Sequence, residues 1–170
     1  MTGFQRCMLG LLAMSSKDHA KPHVSSAAAT RYRRIVVKVG TTLLTHDSDQ
    51  LNMQVMAALV EQMTRLHEDG AEVVLVSSGA VAAGRHVLGM SREKRSVPFR
   101  QMMAAAGQGR LMHAYEQLFD WHQIPVAQAL LTRKDFSDRL GYLNVRNTLL
   151  SLLELRVVPI VNENDVVSVD

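Results

Sequence analysis

Four short stretches of the 170-residue chain carry side chains able to do chemistry: Lys38-Val39-Gly40-Thr41-Thr42, Ser77-Ser78-Gly79, Thr132-Arg133-Lys134-Asp135 and Asn162-Glu163-Asn164-Asp165. Each follows a run of Val, Ile, Leu or Ala. In the first, a lysine interrupts the β-branched run Arg34-Ile35-Val36-Val37, and lysine is almost never fully buried unless its charge is paired. Near the C-terminal end of a central strand, its ammonium would reach the crevice where open α/β sheets bind ligands. The competing reading is an edge-strand lysine with its head in solvent. Gly40 allows a sharp turn and close approach to a ligand, and the amides of such a turn can cradle an anion. Ser77-Ser78-Gly79 joins a strand to a small-residue helix, so either serine is expected to cap it. The helix start offers free amides and a positive dipole end to an anion. Lys38, Gly40, Thr41 and Gly79 are thereby candidate phosphate-binding residues.

One lysine with amide nests suits phosphoryl transfer, where a protein chiefly positions groups and neutralises charge. No Ser/His/Asp arrangement stands out, and neither the P-loop nor the Gly-x-Gly-x-x-Gly spacing is present. A carboxylate acceptor would fit the missing general base, because it is already ionised. Asp165 could then bind a substrate ammonium or hold cationic side chains in register.

The elements that must position these residues follow from periodicity. Glu72–Ser77, Pro125–Leu131 and Val157–Val161 read as further strands. Leu51, Val55, Leu59, Met63 and Leu66 form one helical stripe, closed by Asp69-Gly70 with Gly70 as a left-handed cap. Met56 and Met63 read as core fillers. Pro98 opens another helix. Gly107-Gln108-Gly109 reads as a bend or a place where backbone meets ligand. Leu111, Met112, Tyr115, Leu118 and Phe119 continue helically beyond it. Asn144–Leu155 is a last helix, with Val145, Leu149, Leu152 and Leu153 inward. Pro159 argues for an edge or irregular place for the fourth strand. Strands alternating with helices predict an α/β fold: a three-layer αβα sandwich on a mainly parallel open sheet, with four strand exits along one rim.

Composition bounds the rest. Length suits one domain. A net charge of +3 and 5% aromatic residues give no case for nucleic acid. No apolar run approaches the roughly 18 residues of a membrane span. The single Cys7 forms no internal disulfide and fits a reducing compartment. The basic segment Arg85–Val97 reads as a solvated surface. Residues 1–30 are Ser- and Ala-rich and poor in acids. They read as a disordered extension, or as a transit peptide that would direct the chain to mitochondria instead of the cytoplasm.

Taken together, several stretches resemble the glutamate 5-kinase family of the amino acid kinase superfamily. They are Val37–Thr42, Val76–Gly84, Ala105-Ala106-Gly107-Gln108, Leu130-Leu131-Thr132, Tyr142–Leu149 and Val158–Asp165. The resemblance runs from about Arg34 to the end. It implies ATP-dependent phosphorylation of the L-glutamate γ-carboxylate to glutamyl 5-phosphate, the first step of proline biosynthesis. Catalytic Lys38 would lie at the ATP phosphates, with Ser78 and Asp165 at glutamate. It also implies Mg²⁺ accompanying ATP, homo-oligomers of the full-length protein and feedback inhibition by proline. The family's kinase domain is longer, and its later half supplies further glutamate contacts, a second lysine and most of the nucleotide pocket. Residues 31–170 are therefore expected to be the amino-acid-substrate half of an incomplete amino acid kinase fold, with little activity alone. Another carboxylate or phosphate kinase of the superfamily, or a non-catalytic glutamate- or proline-binding module, is the alternative.

Overall fold

A computed structural model of the protein describes residues 32–45, 49–90 and 96–167. The expectations for residues 1–30 and for Arg92, Lys94 and Arg95 of the basic segment fall outside them. The elements run β1 (Arg34–Lys38), α1 (Thr41–Thr45), α2 (Met53–Glu68), β2 (Glu72–Val76), α3 (Ala80–Leu88), α4 (Val97–Asp120), β3 (Val126–Leu131), α5 (Arg133–Ser137), α6 (Arg139–Glu154) and β4 (Val158–Glu163). The strands form one sheet in the order β1-β2-β4-β3. Every pairing is parallel, so all four strands end on the same rim.

Alternation along β2 builds two cores. Val73 and Leu75 face Met56, Val60 and Met63 of α2 and Leu111, Tyr115 and Phe119 of α4. Val74 and Val76 face Leu149 and Leu153 of α6, with Val161 of β4. A strand buried on both faces must be apolar throughout, which is why Val73-Val74-Leu75-Val76 carries no polar residue. The three-layer expectation holds. The α2 helix is capped by Asn52, whose Oδ1 accepts from the amides of Gln54 and Val55 at 3.1 Å. It ends as predicted at Gly70, where φ is +90°. No helix among the described residues is long and apolar enough to cross a membrane.

Three expectations are corrected. First, β1 is not central: among the described residues it pairs with β2 alone, and Lys38 is exposed. Charged residues at both ends of β1 suit an edge, which unlike the middle of a sheet meets solvent. Second, Gly107-Gln108-Gly109 is no bend, because α4 runs unbroken through it. Gly107 instead admits a neighbouring helix: a Cβ there would lie 1.9 Å from the carbonyl oxygen of Ala80 and 2.3 Å from the amide of Gly84. Gly84 reciprocates, 1.8 Å from the Met103 carbonyl oxygen by the same construction. Two small residues thus let α3 and α4 touch backbone to backbone.

Third, β4 is interior despite Pro159, lying between β2 and β3. The Ser77 amide donates to the Val161 carbonyl at 2.9 Å and the Val158 amide to Pro125 at 2.9 Å. Alternate residues of β4 therefore bond to alternate neighbours, and Pro159 faces the β2 side. Pairing with β2 begins only at Ile160, so the missing proline donor falls just before the ladder.

Candidate functional site

The shared rim encloses a cavity of about 350 Å³, lined by residues that include Thr41, Ser77, Ser78, Gly79, Arg85, Arg100, Asn162, Glu163 and Asp165. Three strand exits supply all of these but the arginines: Thr41 after β1, Ser77–Gly79 after β2, and Asn162, Glu163 and Asp165 at the end of β4, while Arg85 comes from α3 and Arg100 from α4. Four predicted site residues, Thr41, Ser78, Gly79 and Asp165, share this cavity. Lys38 and Gly40 do not line it. They form the adjoining turn, where the Lys38 Nζ lies 3.5 Å from the Cβ position that Gly40 lacks. The Val39 amide donates to the Val76 carbonyl at 2.8 Å, fastening this turn to the end of β2. Thr41 then enters the one-turn helix α1, in which the Thr45 hydroxyl donates to the Thr41 carbonyl at 3.1 Å.

The β2 exit differs from expectation in its cap. Neither serine caps α3; Gly79 is the N-cap, at φ +106° with no side-chain bond. This left-handed backbone is cheap only for glycine. It turns the chain so that the first amides of α3, which lack intrahelical acceptors, begin at the cavity wall. Ser77 is buried, with its hydroxyl 3.0 Å from that of Tyr115 and 3.3 Å from the Ser78 carbonyl. Burial pushes the Tyr115 phenol up to about 12, partly offset by the Ser77 hydrogen bond.

Acids and bases meet across the cavity. Burial raises the Asp165 carboxyl above the usual carboxylate range, and the Glu163 charge adds to this while Arg100 opposes it. The Arg100 Nη2 stands 3.8 Å from the Asp165 Oδ1. Arg85, expected on a solvated surface, is half-buried and donates from Nε at 3.1 Å and Nη2 at 2.9 Å to the Asp49 Oδ1. Asn162 is buried; its Nδ2 donates to the Gln108 Oε1 at 2.8 Å and its Oδ1 accepts from the Glu163 amide at 2.9 Å. Arg85 and Arg100 are lining residues that sequence reasoning missed: Arg85 sits in a basic run that carries no signal of which cation folds inward, and Arg100 lies just beyond that run in α4. The fourth strand exit is structural. The Asp135 Oδ2 accepts from the Thr132 amide and hydroxyl, both at 2.7 Å, closing a capping box on α5. No three His, Cys, Asp or Glu side chains among the described residues gather to hold a metal.

A cavity bearing both charge signs beside an amide-rich helix start can take a small zwitterion and present one end of it to an anion held near Lys38. The profile of the Amino acid kinase family matches residues 33–170. Among curated relatives, a glutamate 5-kinase of Dehalococcoides mccartyi is 55% identical over 139 residues, covering 82% of this chain and 37% of that protein. One of Herpetosiphon aurantiacus is 55% identical over 139 residues, covering 82% and 38%. One of Moorella thermoacetica is 51% identical over 143 residues, covering 84% and 38%. The chain thus spans well under half the length of the relatives it matches.

Proposed function

The chain belongs to the amino acid kinase family, and from that premise we propose that it forms the amino-acid-binding half of an ATP-dependent glutamate 5-kinase. The observation that carries this reading is the meeting of Thr41, Ser78, Gly79 and Asp165 on one cavity, beside the Lys38 turn. The names and identities of the relatives supply the substrate. Residues 31–170 are the substrate half and residues 1–30 a separate extension. Catalysis belongs to the full-length kinase, the matched relatives being more than twice as long as the stretch they share with this chain. A homo-oligomeric assembly, inhibition by proline and a cytoplasmic location belong to the same proposal, with mitochondria the destination if residues 1–30 act as a transit peptide.

In the proposed reaction a γ-carboxylate oxygen of glutamate attacks the terminal phosphorus of ATP. The new O–P bond forms as the bond to the β-phosphate oxygen breaks, and that oxygen keeps the electron pair as ADP departs. No proton moves, so no base is required. Lys38 neutralises charge on the transferring group, as cationic clamps do in phosphoryl transfer. The amides opening α3 and the hydroxyls of Thr41 and Ser78 orient the acceptor carboxylate. Asp165 receives the substrate ammonium; its raised affinity for a proton reflects a carboxylate partly withdrawn from water, whose ionised form a bound ammonium restores. Mg²⁺ would enter with the nucleotide, held mainly by phosphates and water. It would supply charge neutralisation at the phosphates.

A coupled ADP-release assay on the full-length kinase tests the reading. Turnover should depend on L-glutamate, and Lys38→Ala should lower kcat by roughly 100- to 1,000-fold, the usual effect of removing one charge-stabilising donor. ADP release indifferent to glutamate, or an unchanged rate in Lys38→Ala, would overturn it.

A further inference from the structure

Ser77 lines the cavity yet is only 3% exposed, and the proposed reaction gives it no task. Its hydroxyl lies 3.3 Å from the Ser78 carbonyl oxygen and 3.0 Å from the Tyr115 hydroxyl. A serine hydroxyl holds one proton. A carbonyl can only accept, so that proton goes to Ser78, and the Tyr115 phenol donates the 3.0 Å bond. The reverse assignment would leave the phenol's proton without an acceptor in the core, where Tyr115 is fully buried and an unmet donor is costly. Burial pushes the phenol up to about 12, so it keeps its proton across the neutral range. Tyr115, Ser77 and the Ser78 carbonyl thus form a directed chain from α4 to the exit of β2.

The chain ends on a peptide that no other hydrogen bond among the described residues holds. The helical ladder of α3 starts one residue later, where the Ala83 amide donates to the Gly79 carbonyl at 2.9 Å. Gly79 has φ +106°, and glycine passes between positive and negative φ at little cost. The Ser78–Gly79 peptide would therefore rotate readily but for the Ser77 hydroxyl. A trans peptide sets its carbonyl and its N–H on opposite sides. With the Ser78 carbonyl drawn to Ser77, the Gly79 N–H turns the other way, and that amide has no acceptor among the described residues. Rotation would exchange the two, offering an anion an oxygen in place of a donor.

We propose that Tyr115 and Ser77 are positioning residues for the phosphoryl transfer: through the Ser78 carbonyl they keep the Gly79 N–H turned into the cavity, as a fixed donor to the transferring phosphoryl group. This rests on reading the cavity as the kinase site. A donor already aimed where charge develops needs no reorganisation during the reaction.

The test is steady-state kinetics of the full-length kinase carrying Ser77→Ala, Tyr115→Phe or both. Ser77→Ala should lower kcat by roughly 10- to 100-fold, less than outright loss of one preorganised donor because the peptide still spends part of its time in place. The glutamate KM should stay nearly unchanged. Tyr115→Phe should lower kcat by a smaller factor, roughly 3- to 10-fold, since the Ser77 hydroxyl remains but is no longer steered by its network. Because Tyr115 acts only through Ser77, the double variant should be no slower than Ser77→Ala alone, whereas independent losses would multiply. An unchanged kcat in Ser77→Ala, a Tyr115→Phe enzyme as fast as wild type, or losses that multiply would overturn the proposal. A crystal structure of full-length Ser77→Ala gives a readout independent of turnover: the Ser78–Gly79 peptide should be rotated or split between two orientations, and a peptide kept in place overturns the proposal. Wild-type protein without glutamate-dependent turnover would sink the kinase reading, and the same crystal structure would still decide whether the relay holds the peptide.

Discussion

Alanine at Gly107 should do damage out of proportion to one methyl group, whereas alanine at Gly109, two residues on, should help. A Cβ at Gly107 falls 1.9 Å from the Ala80 carbonyl oxygen, 2.3 Å from the Gly84 nitrogen and 2.9 Å from the Gly84 Cα. All are backbone atoms of α3, so no side chain can rotate away. Reaching even a close carbon–oxygen contact of roughly 3.3 Å requires the helices to part by about 1.4 Å. Overpacking of this kind costs about 1–3 kcal/mol, occasionally more, while replacing a helical glycine with alanine returns about 1 kcal/mol. With backbone on both sides, a net destabilisation of about 2 kcal/mol is expected. At Gly109 nothing lies within 4 Å, so only the favourable helical effect remains. By the size scaling of roughly 2–4 °C per kcal/mol, Gly107→Ala should lower Tm by about 4–8 °C and Gly109→Ala should raise it by up to about 4 °C. Because α3 opens at the Gly79 wall and α4 carries Arg100 and Gln108, Gly107→Ala should also weaken glutamate binding. Thermal melts of the two variants beside wild type decide the matter. A Gly107→Ala protein as stable as Gly109→Ala would refute the backbone contact between the helices.

Other outcomes follow from the same geometry. Burial raises the Asp165 carboxyl in the folded state, so its ionisation opposes folding as pH rises through the folded value. Asp165→Asn should therefore raise Tm most at neutral pH, with the gain fading below the ordinary carboxylate range, while glutamate binding is lost; a gain that grew toward acid would contradict this. The Tyr115 phenol, pushed up to about 12, ionises in the unfolded chain first, so its contribution is whole below about pH 10 and lost as pH rises toward 12. Tyr115→Phe should cost about 1 kcal/mol at neutral pH through the Ser77 hydrogen bond and flatten the alkaline decline seen in pH-resolved melts. Asp135→Ala should remove the capping box on α5 and cost about 1 kcal/mol, read in the same melts. The 170-residue chain alone should show little glutamate-dependent ADP release, since it spans 37% of the length of a matching relative; turnover near that of the full-length kinase would refute the division of labour.

How much of this was legible in the sequence varied with the kind of signal. The strands were plain because Val73-Val74-Leu75-Val76 and its counterparts are apolar at every position, as a sheet covered on both faces demands. Gly70 was plain because a left-handed cap leaves its mark at a helix end. Gly107 was misread because a glycine that breaks a helix and one that admits a second helix look alike; only the facing Gly84, 23 positions earlier, separates them. Pro159 misled because the cost of its missing donor depends on which side of β4 it faces. Lys38 was recognised as unusual, but strand order, and with it the edge place of β1, is a tertiary fact. Four candidate site residues came together because the strands are all parallel, and the crevice of an open parallel sheet lies at their carboxyl ends. Arg85 and Arg100 escaped because the acids beside them, Asp49 and Asp165, lie in segments distant in sequence and are brought near only by the tertiary fold.

The most direct measurement is a crystal structure of the full-length kinase with L-glutamate bound. The ammonium should lie against Asp165, and the γ-carboxylate should point past Thr41 and Ser78 toward the Lys38 ammonium. Glutamate seated away from the β1, β2 and β4 exits, or with its γ-carboxylate turned from Lys38, would contradict the account.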